Sequence, residues 1–197
     1  MVTGRFRWGQ VERLISLDFH TAAGFTKEEF EALSPEPKKE NALLVVSETC
    51  VNICHQLKLV GQIIEGGIRN DLFFEKFSVN DHHNVVAVPR GLLYWIYYPD
   101  DGRSMLNLST AEALAKLQKH RRRPCTTVEV LAMFRENPGI LTDGERRHNI
   151  DAPGSRLGED LMINLFLEER EQRITLAAVN PSETGYNRWG AASCELE

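Results

Sequence analysis

The chain has 197 residues, 42% of them hydrophobic and 26% charged, with a formal net charge of −5 and a pI near 5.7. This is a globular composition, long enough to bury a core without staples, and it supplies no global positive field for nucleic acid or an anionic membrane. No apolar run approaches the roughly 20 residues of a membrane-spanning helix, and Met1 to Trp8 lack the apolar stretch of a signal peptide. The expectation is therefore a single cytoplasmic domain over 1–197, with a subdivision near 103–125 as the alternative, and with Cys50, Cys54, Cys125 and Cys194 as reduced thiols.

In chain order, Val11, Leu14, Ile15 and Phe19 recur at helical spacing and predict a helix over about Gln10 to Phe19, broken by Gly24. Thr26 and Glu29 form a capping box for a short helix that Pro35 ends. Leu43 to Val46 reads as a buried strand, and Ser47 as the cap of a helix over about Glu48 to Leu59. Aromatic and β-branched residues favour strands from Asp71 to Phe77, Val85 to Val88 and Leu92 to Tyr98, the last closed by Pro99-Asp-Asp-Gly102.

Two further capping boxes, Ser109 with Glu112 and Thr126 with Glu129, start helices over about Thr110 to Arg121 and Thr127 to Glu136. Asn137-Pro-Gly139 stops the second. Leu161 to Leu167 and Ile174 to Ala178 alternate, predicting an antiparallel hairpin near the C-terminus. Helices and strands are interspersed without a βαβ rhythm. The fold class expected is α+β, with a mixed or mostly antiparallel sheet flanked by several short helices.

Four groups of residues carry chemistry. Cys50, Cys54 and His55, with His82 and His83, are zinc-type donors, but the two cysteines also complete the apolar stripe of their helix, and no C-x-x-C pair exists. Packing is the stronger reading, so no metal and no cofactor are expected. His82 and His83 read as a loop pair whose neighbours face opposite ways. The basic run of Lys116, Lys119, His120, Arg121, Arg122 and Arg123 suits a helix C-terminus, with an RNA- or protein-interaction patch as the minority reading.

The fourth group is Asp151-Ala-Pro-Gly-Ser-Arg-Leu-Gly-Glu-Asp160, read as a loop whose Gly154 and Gly158 let the backbone approach a ligand. Ser155 and Arg156 could donate to a carboxylate or phosphate, with Arg146, Arg147 and His148 adding charge, and Asp151 and Asp160 completing the site. The bland alternative is a turn into the next strand with Arg156 paired to Asp151 or Asp160. Cys194, in Trp189-Gly-Ala-Ala-Ser-Cys194, is either a buried thiol or a nucleophile beside His148.

Thr126-x-x-Glu129, Asn137-Pro-Gly-Ile-Leu141, Pro153-Gly-Ser-Arg-x-Gly158 and Gly190-Ala-Ala-Ser-Cys194, in that order, resemble a family of uncharacterised bacterial proteins classed as a domain of unknown function. That resemblance transfers no activity. The leading expectation is a binding or accessory protein with an anion-accepting loop at 151–160 and a small anionic ligand. The rival is a hydrolase or transferase using His148, Asp151, Ser155 or Cys194.

Overall fold

A computed structural model describes residues 2–71, 81–143, 147–168, 170–171, 173–181 and 188–196. The elements run α1 (Val2–Ser16), α2 (Phe19–Ala22), α3 (Lys27–Leu33), β1 (Ala42–Val46), α4 (Ile53–Gly61), β2 (Ile68–Asn70), β3 (His82–Asn84) and β4 (Leu93–Tyr97). A 3-10 turn at Arg103–Met105 leads to α5 (Thr110–Lys119), β5 (Arg122–Pro124), α6 (Thr127–Glu136) and α7 (Gly139–Thr142). The chain then forms β6 (Asn149–Leu157), β7 (Leu161–Glu168), β8 (Arg173–Val179), β9 (Trp189–Ala191) and β10 (Ser193–Glu195).

The largest sheet has the order β2-β8-β7-β6-β3, with β9 sharing the outer edge of β6. Its β2–β8 and β6–β9 pairs are parallel and the others antiparallel. The hairpin expected from alternation is β7–β8, with Leu165 opposite Leu176 and Ile163 opposite Ala178. Two small antiparallel pairs, β1–β4 and β5–β10, complete the mixed α+β arrangement.

Helix α6 is the centre of the core. Every residue from Thr127 to Arg135 is buried, between β1 on one side and β6 on the other. A helix buried all round must also hide its charges, so Arg135 donates to the Leu44 carbonyl at 2.7 Å and to Glu136 at 2.7 Å. Gln10 of α1 closes the same layer by bonding the Ala42 carbonyl and the Leu44 amide of β1.

Where the signal was local, expected and observed bounds agree. The Thr26–Glu29 and Ser109–Glu112 boxes form as reciprocal hydrogen bonds. Elsewhere the structure corrects the expectation. The first helix starts at Val2 and breaks after Ser16, where Asp18 takes a left-handed conformation. The fourth helix is capped by Asn52, whose side chain accepts from the His55 amide, while Ser47 accepts from the Cys50 amide in a separate turn. Cys50 thus stands outside the helix that carries Cys54. Both thiols are half-buried against the core, and burial pushes them up.

His82 and His83 belong to strand β3, not a loop, with His82 buried and His83 exposed as alternation requires. Val85 to Val88 is not a strand, and of the strand expected over 71–77 all but Asp71 lies outside the described residues. The segment 151–157 is strand β6, and only Gly158 to Asp160 form a turn.

Candidate functional site

Helix α5 ends at Lys119, short of the expected Arg121, because Arg121 adopts φ 53° and redirects the chain. A left-handed conformation in a non-glycine residue is uncommon and marks a position fixed by its surroundings. Arg122, Arg123 and Pro124 then run as β5 against Glu195, Cys194 and Ser193. Three consecutive arginines are thereby carried off the helix end and into the wall of a cleft of about 650 Å³. The rest of that wall is mainly apolar and includes Val86, Val88, Pro89, Trp95, Leu114 and Leu117. Val86 and Val88, sequence signals for a strand, are cleft lining instead.

The arginines have different fates. Arg123 turns inward and makes a forked pair with Glu129, at 2.6 and 3.1 Å. Glu129 is fully buried and also accepts from the Thr126 amide at 2.7 Å and the Tyr94 hydroxyl at 3.2 Å. Burial works against the Arg123 charge, but the hydrogen bonds and charge of Glu129 outweigh it and hold the guanidinium protonated. Burial, reinforced by Glu129, pushes the Tyr94 phenol up. Arg122 donates to the Ser193 hydroxyl at 2.8 Å and the Tyr98 carbonyl at 2.7 Å, all neutral partners. Among the described residues, neither Arg121 nor Arg122 is paired with a carboxylate, whereas Glu195 in the same wall is neutralised by Lys39 at 2.7 Å.

Cys194 is part of this wall and Cys125 sits behind it, their sulfurs and a Glu129 oxygen within 4.8 Å of one another. The donor types suit zinc, but Glu129 already receives four hydrogen bonds and pairs with Arg123, which leaves it no lone pair for a metal. Burial pushes the Cys125 thiol well up, which keeps it protonated. Cys194 is 1% exposed and lies within the core.

The residues singled out in the sequence do not converge. The Ser155 hydroxyl is buried, accepts from the Thr127 amide at 3.0 Å and donates to Asn84 at 2.7 Å. Arg156 donates to the Pro153 and Ser155 carbonyls and has no ion pair with Asp151 or Asp160, although the Asp160 charge opposes the downward pull of burial on it. His148 is buried against Asp101, 3.0 Å from its carbonyl oxygen. Asp160 is exposed in the turn, and Arg146 lies outside the described residues. Gly154 serves a close approach, as a Cβ there would meet the Cys125 carbonyl oxygen at 2.8 Å. No hydrogen bond joins any two of His148, Asp151, Ser155 and Cys194 among the described residues.

One acid–imidazole–hydroxyl chain does form, unannounced by the sequence. Glu48 Oε2 lies 3.0 Å from His82 Nδ1, and His82 Nε2 lies 3.1 Å from the Thr127 hydroxyl. The order of groups is that of an activated nucleophile. Thr127 is fully buried at the start of α6, however, so the chain works as a clamp between the turn after β1, strand β3 and the central helix.

A family model described as a family of unknown function, DUF5701, matches residues 13–161. The chain belongs to DUF5701. The match takes in the cleft's arginines, α6 and all of β6, and it stops before Gly190-Ala-Ala-Ser-Cys194. No curated protein and no solved structure matches the chain. No helix among the described residues is long and apolar enough to cross a membrane.

Proposed function

We propose that the protein binds a small amphipathic organic anion, its apolar body in the 650 Å³ cleft and its carboxylate, sulfonate or phosphate on Arg121 and Arg122. The observation that carries this reading is the pair of uncompensated guanidinium groups in an otherwise mainly apolar wall. Small-molecule sites are concave, largely apolar and oriented by a few polar groups. Arginine is suited to planar anions because its donors form a fixed fork. Arg123 contributes shape and not charge, because Glu129 neutralises it.

This keeps the expectation of an anion-binding protein and moves the anion from 151–160 to the run 121–123. Segment 151–160 offers less for this role, since the Ser155 hydroxyl is buried and spent on Asn84 and the Thr127 amide. The test uses 8-anilinonaphthalene-1-sulfonate, an apolar ring system with one anionic group. Saturable fluorescence enhancement is expected, with displacement by octanoate but not by octanol. Arg121→Glu should weaken binding about 10- to 100-fold, the range for a lost charge-assisted hydrogen bond. Equal displacement by octanol would remove the anion, and no saturable signal would remove the cleft.

A further inference from the structure

Cys125 and Cys194 meet where β5 and β10 lead into the core. In that strand pair Cys194 is opposite Arg123, and Ser193 is opposite Pro124. The ladder runs one step further, with the Cys125 amide donating to the Ala192 carbonyl at 2.9 Å. Cys125 therefore stands diagonally from Cys194, on the same face of the pair. The two residues are 0% and 1% exposed, both thiols are free, and the sulfurs lie within 4.8 Å of one another.

The diagonal decides what can join them. Diagonal partners in an antiparallel ladder have Cα atoms about 7–8 Å apart. A disulfide needs them within about 7 Å, with the sulfurs about 2.05 Å apart. The Cys125 backbone is held against such a movement, its amide by Ala192 and its carbonyl by the Gly154 amide at 2.9 Å. A bridging ion closes the gap without moving either strand, because two metal–sulfur bonds of about 2.3 Å placed in line span about 4.6 Å.

The number of donors selects the ion. Glu129, the third group of the cluster, spends its lone pairs on Arg123, Thr126 and Tyr94. Among the described residues this leaves two sulfurs as the His, Cys, Asp or Glu donors in reach of each other here. Structural zinc takes four ligands, and two do not satisfy it. Soft thiolates select Cu(I), a closed-shell ion whose single charge two such donors can satisfy. Cys194 lines the 650 Å³ cleft, which gives the ion a way in. Two thiolates around Cu(I) carry one net negative charge. Glu129 and Arg123 act on the Cys125 thiol in opposite senses, and the excess positive charge comes from Arg121 and Arg122 in the same wall.

We propose that Cys125 and Cys194 form a two-coordinate cuprous site at the back of the cleft. Binding breaks two S–H bonds and forms two Cu–S bonds. Both protons pass to the buffer, and the copper stays monovalent. The metal is held by sulfur and the organic anion by Arg121 and Arg122, so each site can fail without the other.

The experiment is titration of the full chain under nitrogen with Cu(I), supplied as its acetonitrile complex, in competition with bathocuproine disulfonate. One copper per chain should be retained, both by the native protein and by Cys50→Ala with Cys54→Ala, which keeps Cys125 and Cys194 as its thiols. X-ray absorption of either loaded protein should show two sulfur neighbours and no nitrogen or oxygen ligand. Adding Cys125→Ala or Cys194→Ala to the double variant should abolish retention. Excess cyanide, which strips the copper, should return both thiols in their reduced form. The proposal is overturned if the chelator removes all the copper, if a variant with one of the two thiols retains it, if a third ligand is seen, or if the pair is recovered as a disulfide.

Discussion

Replacing Asp151 by Asn should make the protein more stable, and the size of the gain should depend on pH. In the unfolded chain the carboxyl loses its proton near 3.8, whereas in the fold burial holds the proton to about 8. Between those values the unfolded state binds fewer protons than the native state, so stability falls as pH rises, by about 1.36 kcal/mol per pH unit. The three units from 3.8 to neutral pH put the cost at about 4 kcal/mol, an upper bound for what the substitution can recover. The new amide stays buried and poorly bonded, which takes back about 1–3 kcal/mol. A net gain of about 2 kcal/mol is expected at neutral pH, or roughly 4–8 °C in Tm for a chain of this size. Below about pH 4 the gain should give way to a loss of about 1–3 kcal/mol, the cost of the amide alone, because Asp151 is then protonated in both states. Thermal unfolding by circular dichroism across that range is the assay. Parallel pH profiles for the two proteins would refute the argument, as would a variant less stable at neutral pH.

The buried ion pair behind the cleft should show the opposite asymmetry. Glu129→Ala strands the Arg123 charge, so urea unfolding should reveal a loss of about 3–5 kcal/mol, while the double change Arg123→Met with Glu129→Leu should cost much less. Additive losses would count against this account of the pair. Gly154→Ala should destabilise by about 1–3 kcal/mol, because its Cβ would press on the Cys125 backbone. Gly9→Ala, in α1 with nothing within 4 Å, should instead stabilise by about 0.5–1 kcal/mol, and the same denaturation series compares them.

What the sequence made legible was what near neighbours determine. Thr26, Ser109 and their partner glutamates mark helix starts because both hydrogen bonds lie within four residues. Alternation from Leu161 and from Ile174 marked the hairpin because one face of each strand meets the core. Glu129 was read as a cap, and it is one, but its second and third partners, Arg123 and Tyr94, arrive through tertiary packing. Pro153-Gly-Ser-Arg156 looked like a ligand loop because glycine, serine and proline favour turns. There the chain leaves its ladder with β7 between Ala152 and Arg156 and bonds Cys125 and Val85 instead. The cleft escaped sequence reading because its parts come from separate segments, 86–89, 95–97, 114–124 and 194–196. Only the three arginines left a visible trace, and helical spacing assigned one of them to the wrong element.

The central claim is that an amphipathic anion sits against Arg121 and Arg122, away from Asp151. The most direct measurement is a backbone-amide NMR titration of the full chain with octanoate. Saturable shifts are expected at Val86, Leu114, Leu117 and Arg121 to Arg123, with Asp151 and Asn164 unmoved. Shifts centred on 151–164, or none on saturation, would contradict it.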